Sequence, residues 1–266
     1  MHYVTRFSIG LCIVWWCMTG SAARAQDGAP PSGALEVDLE LVLAVDISGS
    51  GDGFEGQQQR DGYIAAMTHP SVIAAIRSTF SARIAATYAE WADAFYQQQV
   101  VGWTLIDGAD TAGAFAAELA QRPVARGFRT SISHAIDFSV ALFETNDYAG
   151  LRRVIDISGD GVNNRGRSLT LARQDALNRG ITINGLPILN DRPQPWGMMG
   201  TPRDIQLDRY YESEVIGGPG SFIVAAENFD AFRDAILSKL VLEIAGRTPT
   251  GPIRFAARPA AQSNVP

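Results

Sequence analysis

The feature that most constrains this chain is an apolar run that ends in Asp-Ile-Ser-Gly and occurs twice. The first copy is LVLAVDISGS at residues 41–50, and the second is RVIDISGDG at residues 153–161. Continuous apolar runs of this length are typical of strands that are buried on both faces of a parallel sheet. Because the carboxyl ends of parallel strands meet at one crevice, the two copies predict a single shared site in an α/β fold.

The first copy carries oxygen-bearing side chains at alternate positions. Asp46, Ser48 and Ser50 offer a carboxylate and two hydroxyls, an all-oxygen set that a hard divalent cation such as Mg²⁺ accepts. Asp and Ser at a strand end also commonly cap the following helix or form a turn. The spacing of these three residues alone leaves both interpretations open.

The three residues resemble the metal-ion-dependent adhesion site of von Willebrand factor type A domains, whose first motif is Asp-x-Ser-x-Ser. Thr130, in GFRTSISHAI, and Asp160, in SGDG, match the later Thr and Asp of that family in order and context. The resemblance spans roughly residues 35–245. The segments QRDGY, ITINGLPI and VIGGPGSFIVA are similar to those of a bacterial group of stand-alone exported A domains whose role is not established. Gly51 departs from the pattern, because an apolar residue usually follows the last Ser.

This resemblance implies both a fold and a site. The fold is a doubly wound, mostly parallel α/β sheet with helices on both faces and one antiparallel edge strand, which we assign to residues 99–105. The implied metal ligands are Asp46, Ser48, Ser50, Thr130 and Asp160. The expected ion is Mg²⁺, with Mn²⁺ or Ca²⁺ as alternatives. The resemblance further implies an adhesion-type domain whose metal captures a Glu or Asp side chain of a protein partner.

Residues 1–25 are predicted to be an export signal. His2 and Arg6 precede an apolar run from Phe7 to Met18 that is too short to cross a bilayer comfortably, and Ala-Arg-Ala at 23–25 supplies a cleavage pattern. We therefore expect a periplasmic or secreted protein without a membrane span after cleavage. An uncleaved membrane anchor is the alternative interpretation.

The remaining chain divides by composition. Residues 26–34 are rich in Gly and Pro and predict a linker, residues 35–246 the A-type domain, and residues 247–266 a disordered tail. Within the domain, strand and helix patterns alternate, beginning with a strand over 37–45 and including a helix over 205–213. The Pro- and Gly-rich segment 190–204 predicts a long irregular loop.

Charge and cysteine content exclude two classes of protein. The formal charge is −6, and removal of Arg6 and Arg24 with the signal leaves 20 Lys and Arg against 28 Asp and Glu. An acidic chain with a single lysine and no basic run carries no electrostatic footprint for DNA or RNA. Cys12 and Cys17 both lie in the predicted signal, so the mature chain cannot be a disulfide-stabilised scaffold.

Enzymatic interpretations find little support in the sequence. The paired Asp-Ile-Ser-Gly segments differ from the Asp-Thr-Gly loops of aspartic proteases by an extra residue, and no Gly-x-Ser-x-Gly elbow is present. His134, one helical turn after Thr130, is the one candidate base near the predicted site. We therefore expect that the protein is not an enzyme. The alternatives are a scaffold domain whose metal is purely structural and, less well supported, a metal-dependent hydrolase.

Overall fold

The computed structural model describes residues 33–49, 54–189 and 206–256 of the chain. The predicted signal 1–25, Ser50 with Gly51, and the predicted loop 190–204 lie outside the described residues. Within the described ranges, no helix is long and apolar enough to cross a membrane.

The described elements alternate between strands and helices. The strands are β1 Leu35–Val37, β2 Glu40–Asp46, β3 Ile84–Trp91, β4 Gln97–Ile106, β5 Tyr148–Gly150, β6 Arg153–Gly159, β7 Ile181–Pro187, β8 Val224–Ala226 and β9 Ile253–Phe255. The helices are α1 Phe54–Met67, α2 Pro70–Arg77, α3 Ala109–Gln121, α4 Ile132–Phe143, α5 Leu169–Asn178, α6 Leu207–Tyr210 and α7 Phe229–Ile244, and a π-helical turn spans Tyr211–Val215.

The main sheet has the strand order β4-β3-β2-β6-β7. Strand β2 pairs in parallel with β3 on one side and with β6 on the other, whereas the edge strand β4 runs antiparallel to β3. This arrangement confirms the predicted doubly wound α/β fold with one antiparallel edge strand. It also places the carboxyl ends of β2 and β6, where the two Asp-Ile-Ser-Gly segments lie, side by side.

Alternate residues of β2 divide the hydrophobic core into two layers. Leu41, Leu43 and Val45 pack with residues of α1, α2, α3 and α7 on one face of the sheet. Val42 and Ala44 pack with residues of α4, α5 and the π-helical turn on the other face. All five side chains are almost completely buried, as expected for a central strand with helices on both faces.

Polar caps set where several helices begin. The side chain of His69 accepts a hydrogen bond from the backbone N–H of Ser71 before Pro70 opens α2, and the side chain of Asn228 accepts one from Ala231 at the start of α7. Such caps satisfy backbone donors that have no partner within the helix.

The structure differs from the sequence prediction at the first strand. Instead of one strand over 37–45, the chain forms β1, which pairs with β5, and then β2, with Asp38 between them. The Asp38 carboxylate accepts hydrogen bonds from the Thr79 hydroxyl (2.7 Å) and from the backbone N–H (2.7 Å) and hydroxyl (2.6 Å) of Ser81. Burial alone would raise the pKa of Asp38, but these hydrogen bonds outweigh it and lower the pKa below its usual value. A buried carboxylate therefore interrupts the strand.

Two further differences lie near the C-terminus. The helix predicted over 205–213 is a short α6 followed by the π-helical turn, with residue 205 outside the described part. Within the segment 247–266, predicted to be a disordered tail, Ile253–Phe255 form β9 and pair in parallel with β8. Local apolar periodicity gives no sign of a three-residue strand whose partner lies almost thirty positions earlier.

A buried ionic cluster joins α7 to the sheet. The Lys239 ammonium lies 2.6 Å from Oδ1 of Asp156 on β6 and 2.5 Å from Oε1 of Glu243, and the amide of Asn184 donates to the same Oε1 at 2.9 Å. Burial raises the pKa of Asp156 to about 7, with the charge of Glu243 adding to the shift and Lys239 opposing it. Two carboxylates thus share one ammonium in the core.

We predict that Glu243→Gln makes the stability of the protein less dependent on pH. In the native protein the folded pKa of Asp156, about 7, lies above its unfolded value, so the folded state holds a proton that the unfolded state lacks. The free energy of unfolding should therefore fall as the pH rises from 5 to 8. Gln keeps an oxygen acceptor but removes the like charge, and we expect this loss to shrink by on the order of 1–2 kcal/mol.

Urea unfolding at pH 5 and pH 8 measures this difference. The exposed Glu227 provides the matched control, because Glu227→Gln changes the net charge equally and should keep the native pH dependence. If the free energy of unfolding changes equally between pH 5 and pH 8 in the native protein and in Glu243→Gln, the role assigned to the cluster is contradicted.

Candidate metal centre

Three segments bring the predicted ligands to the carboxyl edge of the sheet. Asp46 ends β2, Asp160 follows the last residue of β6, and Thr130 precedes α4. The Ser48 hydroxyl lies 3.0 Å from the Thr130 hydroxyl, and a Cβ placed on Gly161, next to Asp160, would lie 3.1 Å from Thr130 Oγ1. Ser50 lies outside the described residues. The structure therefore brings four of the five residues together, while their ligation of a metal stays a prediction.

Asp46 is the most constrained of the four. Its side chain is 2% exposed, and Oδ1 accepts a hydrogen bond from the backbone N–H of Ser48 at 2.8 Å. The other oxygen, Oδ2, receives no hydrogen bond from any described residue. Burial, together with the charge of Asp160, raises the pKa of Asp46 well above its usual value. A buried carboxylate oxygen without a donor is costly, and a cation would satisfy it.

The chemistry of the donor set fits a hard cation. In the described part of the chain, no three His, Cys, Asp or Glu side chains form a group that could hold a metal. The donors at this edge of the sheet are instead hydroxyls and two carboxylates. Such a set suits Mg²⁺, which binds oxygen and retains several waters.

Backbone and amide hydrogen bonds fix the loop that carries Thr130. The Asn164 side chain accepts from the Thr130 N–H at 3.1 Å, and the Asn164 N–H donates to the Thr130 carbonyl at 2.9 Å. The Asn163 side chain accepts from the Ser133 N–H at 3.0 Å. The sequence leaves two roles open for Asn163 and Asn164, contact with a ligand or a turn, and turn-residue preference favours the turn. The structure shows that they link the β6 loop to the loop before α4, so they hold Thr130 in position.

His134 takes part in the same network. Its Nδ1 lies 2.9 Å from the Ser131 hydroxyl, which also donates to the Arg165 carbonyl at 3.0 Å. Gly166, with φ +91°, passes so close that a Cβ on it would lie 2.3 Å from His134 Nδ1. The contacts of His134 therefore support the arrangement of the loops.

Tyr211 is a residue of this site that the sequence does not reveal. It is fully buried, and its hydroxyl has no hydrogen-bond partner among the described residues. A Cβ placed on Gly159 would lie 2.9 Å from both Tyr211 Oη and Asp46 Oδ2. Burial raises the pKa of Tyr211, and the charges of Asp46 and Asp160 add to the shift. Its place on a π-helical turn, a distortion common at functional sites, could not be read from the sequence.

The family of the chain is shown by a match over most of its length. The model of the family described as "Protein of unknown function (DUF1194)" matches residues 36–248. The chain therefore belongs to that family. No curated protein matches the sequence.

Solved structures share the fold, and one of them is named as a von Willebrand factor type A protein. A von Willebrand factor type A protein from Catenulispora acidiphila matches with a TM-score of 0.50 and 12% identity over 79% of this chain and 42% of its own. The pilus adhesin SpaC from Lactobacillus rhamnosus GG matches with a TM-score of 0.56 and 15% identity, over 79% of this chain and 30% of its own. Proximal thread matrix protein 1 from the mussel byssus, with zinc in its MIDAS motif (metal-ion-dependent adhesion site), matches with a TM-score of 0.53 and 12% identity, over 79% of this chain and 46% of its own.

The chain thus spans less than half the length of these three proteins. At such low identities the likeness shows the fold alone, and it confirms the resemblance that the sequence motifs indicate.

We predict that Gly159→Ala weakens divalent-ion binding about tenfold, within the range typical of changes to residues that contact and orient metal ligands. The added methyl would lie 2.9 Å from Asp46 Oδ2 and Tyr211 Oη, so the carboxylate must move. Calorimetric titration of metal-free protein with Mg²⁺ measures the change. Gly102→Ala is the matched control, since a Cβ there meets nothing within 4 Å. Native affinity in Gly159→Ala would show that this crevice does not hold the ion.

Proposed function

We propose that this family member is an exported binding module that captures an acidic side chain of a protein partner through a divalent cation. The observation that carries the proposal is the buried Asp46 Oδ2, left without a hydrogen-bond donor among the described residues, beside the close hydroxyl pair of Ser48 and Thr130. A Mg²⁺ ion bound there would supply an electrophilic position open to a carboxylate of the partner.

The five residues divide into two roles in this proposal. Ser48, Thr130 and, from the sequence motif, Ser50 would ligate through their hydroxyls. Asp46 and Asp160 would bind directly or through water and would orient those hydroxyls. Because the two carboxylates balance the charge of a divalent ion, the remaining position can accept one further acidic ligand from outside.

The comparisons support this proposal at the level of the fold. One similar structure is named as a pilus adhesin, and another is described with zinc in its MIDAS motif. The predicted signal 1–25 supports export to the periplasm or beyond the cell. Oxygen donors suit Mg²⁺, Mn²⁺ and Ca²⁺ alike, so the proposal specifies a hard divalent cation, and Mg²⁺ is the ion expected from the sequence.

The proposal predicts that Asp46→Ala and Asp160→Ala each remove most Mg²⁺ affinity. The fold should persist, because removal of the buried and incompletely hydrogen-bonded Asp46 carboxylate relieves a desolvation cost. Calorimetry on metal-free protein measures the affinity, and thermal unfolding reports on the fold. Asp110→Ala, an exposed change on α3, is the control. Unchanged Mg²⁺ affinity in both variants would contradict the proposed site.

A pull-down from the envelope of the native organism, with Mg²⁺ or with EDTA, tests whether the metal captures a partner or is purely structural. Mg²⁺-dependent recovery that is lost in Asp46→Ala supports capture. Recovery that survives EDTA with a folded protein favours a structural metal.

We further propose that the chain is not an enzyme. A metal-dependent hydrolase needs a base that moves a proton. Among the described residues, no carboxylate forms a hydrogen bond or ion pair with His134, the candidate from the sequence, that would orient it as such a base. We predict no Mg²⁺-dependent hydrolysis of generic ester, phosphate or peptide substrates. Turnover that requires Mg²⁺ and disappears in His134→Ala would overturn this proposal.

A further inference from the structure

We propose that a rim of two phenylalanines and two arginines around the candidate metal centre selects what flanks the captured acidic residue. The rim consists of Phe95, Phe128, Arg129 and Arg165. The occupant that fits it is a protein segment carrying an apolar side chain and a further carboxylate beside the one held at the metal. This inference rests on the proposed function and specifies the chemistry of its partner.

The apolar part of the rim lies on two loops that contact each other. Phe95 is 95% exposed and Phe128 is 66% exposed. The Ser131 N–H donates to the Ala92 carbonyl at 2.7 Å, and a Cβ on Gly127 would lie only 2.1 Å from the Ala92 Cβ. The loop after β3 therefore packs directly on the loop before α4. Single exposed apolar residues are ordinary, but two rings on contacting loops beside a site indicate an interaction surface.

The turn that carries Phe95 is well formed. The Phe95 N–H donates to Asp93 Oδ1 at 2.7 Å, and the Ala92 N–H donates to the Tyr96 carbonyl at 3.1 Å. Its exposed ring is thus presented by an ordered turn. Rigid aromatic side chains make effective anchors because little conformational entropy is lost when they are covered.

The charge of the rim is opposite to that of the chain. The protein carries a formal charge of −6, yet the segment RPVARGFRTS at 122–131 holds three arginines and no acidic residue. Arg129 and Arg165 are exposed, and no described residue forms an ion pair or side-chain hydrogen bond with either guanidinium. A positive rim on an acidic protein complements an acidic partner.

Arg129 has a strained backbone conformation. Its φ of +139° is unusual for a residue other than glycine, and such conformations cost about 1–3 kcal/mol. The hydrogen bonds of Thr130 with Asn164, 3.1 and 2.9 Å long, fix the next residue and so maintain the strain. Glycine would adopt this conformation without that cost. An arginine at a strained position beside a predicted ligand suggests a function for its side chain.

A protein segment uses all parts of the rim at once. The metal would take one carboxylate, a guanidinium binds another through paired hydrogen bonds, and the phenyl rings cover an apolar side chain. A polyphosphate or sulfated glycan would engage the arginines but leave both rings exposed. The combination of charge and aromatic surface therefore favours a peptide ligand.

Synthetic peptides provide a direct test with the full exported chain. Each peptide carries a central Glu, flanked by one apolar and one acidic residue, by one apolar residue alone, or by Ser and Gly only. Binding is measured in Mg²⁺ and in EDTA. We expect the first set to bind at least tenfold more tightly than the last, and only in Mg²⁺. Phe128→Ser should abolish the apolar preference, and Arg129→Ser or Arg165→Ser the acidic preference.

Matched controls come from exposed residues elsewhere in the chain. Phe80 is 96% exposed and lies before the first residue of β3, at the amino ends of the parallel strands. Arg233 is exposed on α7. Phe80→Ser and Arg233→Ser should keep both preferences. Calorimetry with Mg²⁺ on the rim variants distinguishes a lost peptide contact from a lost ion. If only the peptide contact is lost, peptide affinity must fall by a larger factor than Mg²⁺ affinity.

The outcomes separate this inference from the proposed function. Mg²⁺-dependent binding of every Glu peptide, regardless of its flanks and of the rim variants, overturns the rim but leaves metal-dependent capture intact. No Mg²⁺-dependent binding of any peptide overturns both. Tighter binding of polyphosphate than of any peptide, sensitive to the arginine variants but not to Phe128→Ser, overturns the peptide as the occupant.

Discussion

The burial of β2 on both faces is the constraint on which the site depends. Because Leu41, Leu43 and Val45 are covered by one helical layer and Val42 and Ala44 by the other, the strand cannot slip or tilt without exposing apolar surface. Its last residue, Asp46, is consequently fixed at 2% exposure at the edge where β6 also ends. The core thus determines the position of this carboxylate.

The hydroxyl side of the site is held differently, by polar contacts between loops. Thr130 is fixed by two hydrogen bonds to Asn164, and the following residue by a bond to the Ala92 carbonyl. These contacts bring the loops after β3 and β6 and the loop before α4 together at one edge. Loops positioned by a rigid sheet are where binding residues concentrate. The rim arginines and phenylalanines emerge from these same loops, so metal ligation and recognition of a partner would be coupled.

Much of this arrangement could be predicted from the sequence, because it follows from local patterns. The apolar runs that end in the two Asp-Ile-Ser-Gly segments predicted the parallel strands and their shared edge, and β4, predicted over 99–105, is the antiparallel edge strand. The break at Asp38 was not predictable, since it depends on donors from Thr79 and Ser81 forty residues later. Tyr211 was missed for the same reason, because only tertiary packing brings its hydroxyl near Asp46.

The two neighbouring strands also differ in how they compensate a buried aspartate. Asp156 on β6 lies 2.6 Å from the ammonium of Lys239, the single lysine of the chain. Asp46 on β2 has no ion pair with any described residue, and the charge that acts on it is the like charge of Asp160. A buried carboxylate must be neutralised by a proton or by a cation. In the first case the chain places a cation beside the carboxylate and so opposes the rise in its pKa, whereas in the second it gathers hydroxyls and a second carboxylate, groups of the kind that bind a divalent ion. This contrast is the physical argument for a metal at the end of β2, and it is independent of the family resemblance.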